Sequence, residues 1–256
     1  MKRSTIGVLA LLDLLAAPAA ERVQAADDVE TLKAKVAQAT RMLAREGLLA
    51  SSGHVSVRIP DSNLALIGPA GVSRAILQAA DIITVDLDSK QVAGRTSPPK
   101  ETEIHTGIYR ARPDVNAVIH SHPLHSVVFS LTGKPILPVT VHGAIFGDGV
   151  PIFEHVGHLN TRELGDALGR TLGTRRALLL KMHGAVIVGP TLEEAFAASL
   201  QLEENAEKQL WAEATGKVEP MTPEEVERCV RQSFSSFSVA KRWRYYVAKE
   251  RAALGE

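Results

Sequence analysis

The sequence predicts a single three-layer α/β domain, with a central, mainly antiparallel sheet flanked by helices. Three observations lead there. Short β-branched runs alternate with longer segments of helical period, clusters of Pro, Gly, Asp and Ser separate them, and no repeat, low-complexity stretch or linker divides the 256 residues. Apolar residues make up 45% of the chain and charged residues 23%, an ordinary globular balance that builds a core without disulfides.

The elements follow in order. Val29 to Leu49 places Leu32, Val36, Leu43 and Leu48 at helical spacing, with Gly47 as the stop. Val55–Ile59, Leu64–Ile67 and Ile82–Leu87 read as strands. Glu101 to Arg112 reads as a helix ended by Pro113, which disfavours helical backbone in the residue before it. Val115 to His120 is a strand running into His-Ser-His, followed by Pro123 and a short helix over Leu124–Leu131. Asn160-Thr161-Arg162-Glu163 has capping-box spacing and opens a helix to Gly173. Leu178–Met182 and Val186–Val188 are strands broken at Gly184, and Thr191-Leu192-Glu193-Glu194 opens a long helix to about Ala214. The tail from Pro223 is helical and carries Trp243, Tyr245 and Tyr246, aromatics expected to pack on the core or an interface.

Residues 1–25 differ from the rest. Lys2 and Arg3 precede an apolar run from Ile6 to Ala20, and Val23-Gln24-Ala25 ends on small residues, the layout of a secretory signal peptide. Asp13 interrupts that run, so the alternative is a tail on a cytoplasmic protein. The expected division is therefore 1–25 as signal or tail, with export to a periplasmic space if it is cleaved, and 26–256 as the domain. After residue 25 no apolar stretch reaches the ~20 residues a membrane helix needs, so no membrane partner is expected. Twenty-nine basic residues balance twenty-nine acidic ones and no basic run is interleaved with aromatics, so no nucleic-acid partner is expected. The single Cys229 excludes an intramolecular disulfide and a cysteine-based zinc site.

Nine histidines carry the functional signal. His120 and His122 lie two apart at a strand end, and residues i and i+2 of a strand share a face, so both imidazoles can reach one ion. A catalytic site that keeps a position open needs a third ligand. His183 is the candidate, because it follows an apolar strand and precedes Gly184, where glycine admits close approach. The alternative for this trio is ordinary buried or solvated histidines. Glu101, one helical turn before His105, is the candidate acid/base; its alternative role is enrichment of the helix's first turn.

These residues together resemble the class II aldolase/adducin family of metal-dependent aldolases, decarboxylases and epimerases. The matching pieces are Gly53-His54-Val55-Ser56-Val57-Arg58, Gly68-Pro69-Ala70-Gly71, Glu101 with His105, the run Tyr109 to His122, and His183-Gly184. The resemblance covers roughly residues 30 to 215. It implies that His120, His122 and His183 hold a divalent metal and that Glu101 is the catalytic carboxylate. It also implies a single α/β domain, assembled as a homotetramer. Zinc or manganese suits this donor set best, with iron or cobalt as alternatives.

Two departures direct the chemistry. The sugar-phosphate aldolases of the family cradle phosphate with two serines before the glutamate, a Gly-Asn step and a Thr-Gly step. Here those positions hold Pro99, Lys100, His54 and Ala70, which removes donors and hydroxyls. His54, Arg58, Gly71 and Lys100 are accordingly the candidate substrate-binding residues; His54, Lys100 and Arg58 suit a carboxylate, with a structural ion pair as the alternative for Arg58. Gly-His-Val-Ser-Val-Arg resembles the decarboxylase branch, so the expected reaction is decarboxylation of a hydroxylated aromatic or heteroaromatic carboxylic acid. Aldol chemistry on a sugar or sugar phosphate, and a non-catalytic metal- or ligand-binding scaffold, are the alternatives.

Overall fold

The structure, a computed structural model, describes residues 27–255, so the expected signal segment lies outside the described residues. Among the described residues the first element is α1 (Val29–Arg45), capped by the Asp28 carboxylate, which accepts the Thr31 N–H. Next come β1 (His54–Arg58), β2 (Leu64–Ile67), β3 (Ile83–Asp86) and β4 (Gln91–Ala93), then α2 (Thr102–Ala111), β5 (Ala117–Ser121) and α3 (Leu124–Thr132). After β6 (Ile152–Phe153) the order is α4 (Arg162–Leu172), β7 (Ala177–Leu180), β8 (Gly184–Gly189), α5 (Leu192–Thr215), α6 (Pro223–Ser233) and α7 (Ser236–Leu254).

The strands form one eight-stranded sheet in the order β4-β3-β2-β1-β5-β8-β7-β6. Every adjacent pair is antiparallel except β6–β7. Alternation along each strand builds the three layers. Val55 and Val57 of β1, with Ala117 and Ile119 of β5, face α1 and α5. Ala185 and Ile187 of β8 face α3 and α5. On the opposite face Val118, Val186 and Val188 meet Ile104 and Ile108 of α2 and Leu168 and Leu172 of α4. His54 and Ser56 have the same parity as that second set, and so does His120. The sheet therefore presents them towards α2.

α2 and α4 are pressed together through glycines. A Cβ on Gly107 would lie 2.3 Å from the backbone of Gly165, and one on Gly169 3.0 Å from the Gly107 carbonyl. Backbone cannot yield there as a flexible side chain can, so Gly107→Ala is expected to destabilise by about 1–3 kcal/mol, or more if the helices separate. A urea midpoint equal to wild type would contradict this packing.

Several boundaries differ from the sequence expectation. Glu101 lies at the N-cap of α2 rather than inside it, and the α4 cap is Thr161 rather than Asn160, its hydroxyl accepting the Leu164 N–H. Lys181, Met182 and His183 are a three-residue turn joining β7 to β8, not a continuation of a strand through Met182. β4 and β6, three and two residues long, are too short to show a period and were not expected. Trp243 and Tyr246 pack edge-on against Phe196 of α5 at 5.3 and 5.4 Å between ring centres, as the aromatic pattern predicts, while Tyr245 is exposed.

Candidate active site

His120 is the penultimate residue of β5, His122 follows the strand's end, and His183 closes the β7–β8 turn. One nitrogen from each lies within 4.8 Å of the others. The β5–β8 pairing sets this distance, since it holds His120 against Val186 and Ser121 against Ala185, beside the turn. The turn itself bends at Met182, a non-glycine residue at φ 57°, whose N–H is tied to Ser130 Oγ of α3 at 3.1 Å. Left-handed backbone at such a residue is uncommon and needs support from its surroundings. The result is to swing His183 back over the sheet end. Gly184 makes room for it. An added Cβ would stand 2.5 Å from the Ser121 carbonyl, 2.8 Å from His122 Cδ2 and 3.1 Å from His120 Cε1.

The ring orientations are set from outside the trio. His120 Nδ1 lies 3.1 Å from the Ala185 carbonyl, which only accepts, so Nδ1 carries a proton and the neutral ring presents a bare Nε2. That Nε2 is buried without a hydrogen-bond partner, a costly position for a lone pair unless a Lewis acid meets it. Ser52 Oγ holds His122 Nδ1 at 3.0 Å and leaves its Nε2 free. Burial, then repulsion from His120 and His183 whenever they are protonated, pushes His122 down to about 4, and burial likewise lowers His183. Neutral imidazoles are what a metal requires. The residues present fit a divalent ion, with carbonyl and hydroxyl partners fixing two of the ligands as metal-binding histidines need.

Glu101 is buried beside the trio. Its Oε2 is 3.6 Å from His120 Nε2, its Oε1 is 3.7 Å from His183 Nε2, and Oε1 accepts the Leu159 N–H at 3.1 Å. Burial pushes its carboxyl up, but His120, His183 and the Leu159 N–H outweigh that and hold it at about 2. Glu101 therefore rests ionised. His158, which no spacing in the sequence singles out, stands at the mouth with Nδ1 3.2 Å from Glu101 Oε1 and its ring centre 6.1 Å from that of His183.

His54 pairs directly with His120 across β1 and β5, and their ring centres are 5.3 Å apart. It is buried, as is His105 behind it. Gly71 and Lys100 are exposed on loops joined by the Ala70 N–H to Ser97 carbonyl bond. Arg74, missed in the sequence, fastens this region: its guanidinium donates to the carbonyls of Gly53, Pro69 and Val72. Arg58 does not belong here, which corrects its assignment to a carboxylate. It sits at the far end of β1, roughly 13 Å along the strand from His54. It lies over the Tyr109 ring and donates to the carbonyls of Tyr109 and Val115. His125 and His142 face Glu203 and Glu204 of α5 at 2.9 and 3.4 Å rather than the trio.

Buried neutral imidazoles make the metal-free protein acid-sensitive. Burial, with the charges of neighbouring histidines, holds His54 well below its ordinary value, and His105 falls to about 3. The unfolded chain takes up protons near pH 6.5 while the folded chain does not. Stability is thus full above about pH 6.5 and is lost as pH falls towards 3. Urea midpoints of chelator-treated protein should decline through that window; a flat profile from pH 7 to 4 would contradict it.

Known proteins match the chain over most of its length. Residues 34–210, more than half the chain, match the Class II Aldolase and Adducin N-terminal domain. The chain is 31% identical over 231 residues to 3,4-dihydroxyphthalate decarboxylase of Arthrobacter keyseri, covering 85% of this chain and 93% of that one. It is 30% identical over 190 residues to L-fuculose phosphate aldolase of Escherichia coli O6:H1, covering 74% and 86%. Among solved structures, L-fuculose 1-phosphate aldolase from Glaciozyma antarctica PI12 superposes with a TM-score of 0.79 at 25% identity, covering 91% and 94%. Matched over residues 34–210, which hold the whole sheet and the histidine-bearing strand ends, this chain belongs to the class II aldolase and adducin family.

Proposed function

We propose that the protein is a metal-dependent carbon–carbon lyase that decarboxylates a hydroxylated aromatic or heteroaromatic carboxylic acid. The observation that carries the choice is His54, an imidazole packed against His120 in a pocket whose neighbouring loops offer Pro99 and Ala70 instead of a phosphate cradle. The relationship to 3,4-dihydroxyphthalate decarboxylase supports it. His120, His122 and His183 would hold the ion; zinc or manganese suits the donors best. Once bound, such an ion supplies a Lewis acid that draws electron density from the substrate's oxygens.

The chain's own residues do the rest. Glu101, held ionised, accepts the proton of the substrate hydroxyl and returns it to the ring carbon that loses its carboxylate. The electron pair of the broken carbon–carbon bond stays on that carbon, takes the proton from Glu101, and carbon dioxide departs. His54 receives the carboxylate, and Lys100 and the Gly71 loop border the entrance. His158 braces Glu101 from the solvent side.

The aldolase relatives favour a second reading with the same ion and carboxylate, in which Glu101 moves a proton on a sugar phosphate. Carbon dioxide release from hydroxy-aromatic acids supports the first reading, and aldehyde release from fuculose 1-phosphate supports the second. A homotetramer is proposed with either; a mass near that of one chain in sedimentation equilibrium would refute it. Export is proposed from residues 1–25, and a mature N-terminus near residue 26 is its signature.

A further inference from the structure

Behind His54 runs a buried chain of hydrogen bonds that the reaction as described does not use. His54 Nδ1 is 3.3 Å from His105 Nε2, His105 Nδ1 is 2.7 Å from Ser56 Oγ, and Ser56 Oγ is 2.7 Å from the Tyr109 hydroxyl. All four side chains are buried. We infer that Tyr109, Ser56 and His105 are positioning residues that keep the proton of His54 on Nε2, so that His54 meets the substrate carboxylate as a hydrogen-bond donor.

The direction follows from satisfying each buried proton. The only hydrogen-bond partner of the Tyr109 hydroxyl among the described residues is Ser56 Oγ, and burial pushes the phenol well up, so it keeps its proton and donates it there. Ser56 Oγ, having accepted that hydrogen bond, can donate its own O–H to His105 Nδ1 at 2.7 Å or to the Val118 carbonyl at 3.5 Å. The shorter contact is a normal O–H hydrogen bond and the longer one is not. His105 Nδ1 is then an acceptor. Burial keeps His105 neutral, so its single proton sits on Nε2 and points to His54 Nδ1. His54 Nδ1 becomes an acceptor in turn, and its proton is left on Nε2, which has no hydrogen-bond partner among the described residues. The polarity begins at a phenol, which must donate, and ends at an imidazole N–H. That N–H suits an anion and not a second donor. An asparagine at position 54 would carry donor and acceptor on one amide and would need no such chain.

That the anion is a carboxylate rests on the decarboxylase reading; the tautomer does not. Zinc-loaded protein labelled with 15N in histidine reports the tautomer of His54 through long-range 1H–15N correlations, assigned with His54→Asn. Wild type should show a protonated Nε2 and a bare Nδ1, and Tyr109→Phe, which keeps the ring beneath Arg58, should show a mixed or reversed pattern. A wild-type His54 protonated on Nδ1 overturns the relay. The binding arm uses 2,3-dihydroxybenzoate and catechol, which differ by the carboxylate. In Tyr109→Phe and Ser56→Ala the benzoate should bind about tenfold more weakly, the scale of one hydrogen bond to a charged group, with catechol unchanged. Equal loss for both probes, or for neither, overturns the positioning role. If wild type binds neither probe, the decarboxylase reading fails, while the tautomer measurement still decides the relay.

Discussion

Glu101→Gln should lower turnover by roughly 10²- to 10⁴-fold, the range for a positioned acid–base group, while the protein keeps its metal. The substitution preserves the shape of the side chain, and its amide oxygen still accepts the Leu159 N–H that anchors Oε1. What it removes is a carboxylate held ionised beside three imidazoles. Glu101 Oε2 lies 3.6 Å from His120 and Oε1 3.7 Å from His183, beyond hydrogen-bond range, so neither oxygen is committed to a ring nitrogen. Metal stoichiometry measured alongside turnover separates the outcomes. Undiminished turnover would remove Glu101 from proton transfer, and loss of the ion would make Glu101 a ligand instead.

Gly184→Ala should weaken metal binding about 10- to 100-fold without touching a ligand, the usual cost of disturbing the groups that orient metal ligands. The added methyl would meet the Ser121 carbonyl at 2.5 Å and the rings of His122 and His120 at 2.8 and 3.1 Å. The carbonyl belongs to the β5–β8 ladder and cannot rotate away, so either the ladder opens or His183 leaves its place. Competition against a chromophoric chelator measures the loss, with His120→Ala as the reference for a missing ligand. An affinity equal to wild type would mean that the turn carrying His183 is far more pliant than its packing indicates.

Much of this was legible in the sequence because it follows from parity and punctuation. The antiparallel sheet with helices on both faces was readable from strand-length runs and caps. The i, i+2 spacing of His120 and His122 and the glycine after His183 pointed to strand ends that converge. Other features had no local signal. Arg58 lies four residues from His54 in the same motif, and a motif does not say which end of a strand faces the ligand; the backbone carbonyls that claim Arg58 come from elements more than fifty residues away. His158 sits in a loop whose approach to Glu101 depends on α4 packing on α2. The charge state of Glu101 depends on neighbours from β5 and the β7–β8 turn, so its placement before a helix could suggest a role but not a pKa. β4 and β6 were invisible because two or three residues cannot show a period.

If the three-histidine metal site releases a carboxyl group, labelled carbon dioxide is its diagnostic product. Metal-reconstituted protein should be given hydroxy-aromatic acids carrying 13C in the carboxyl group, with fuculose 1-phosphate in parallel, and both 13CO2 and aldehyde followed. The expected result is 13CO2 that depends on the added metal and on Glu101, with no aldehyde from the sugar phosphate. Aldehyde from the sugar phosphate, with no 13CO2 from any hydroxy-aromatic acid, would contradict it.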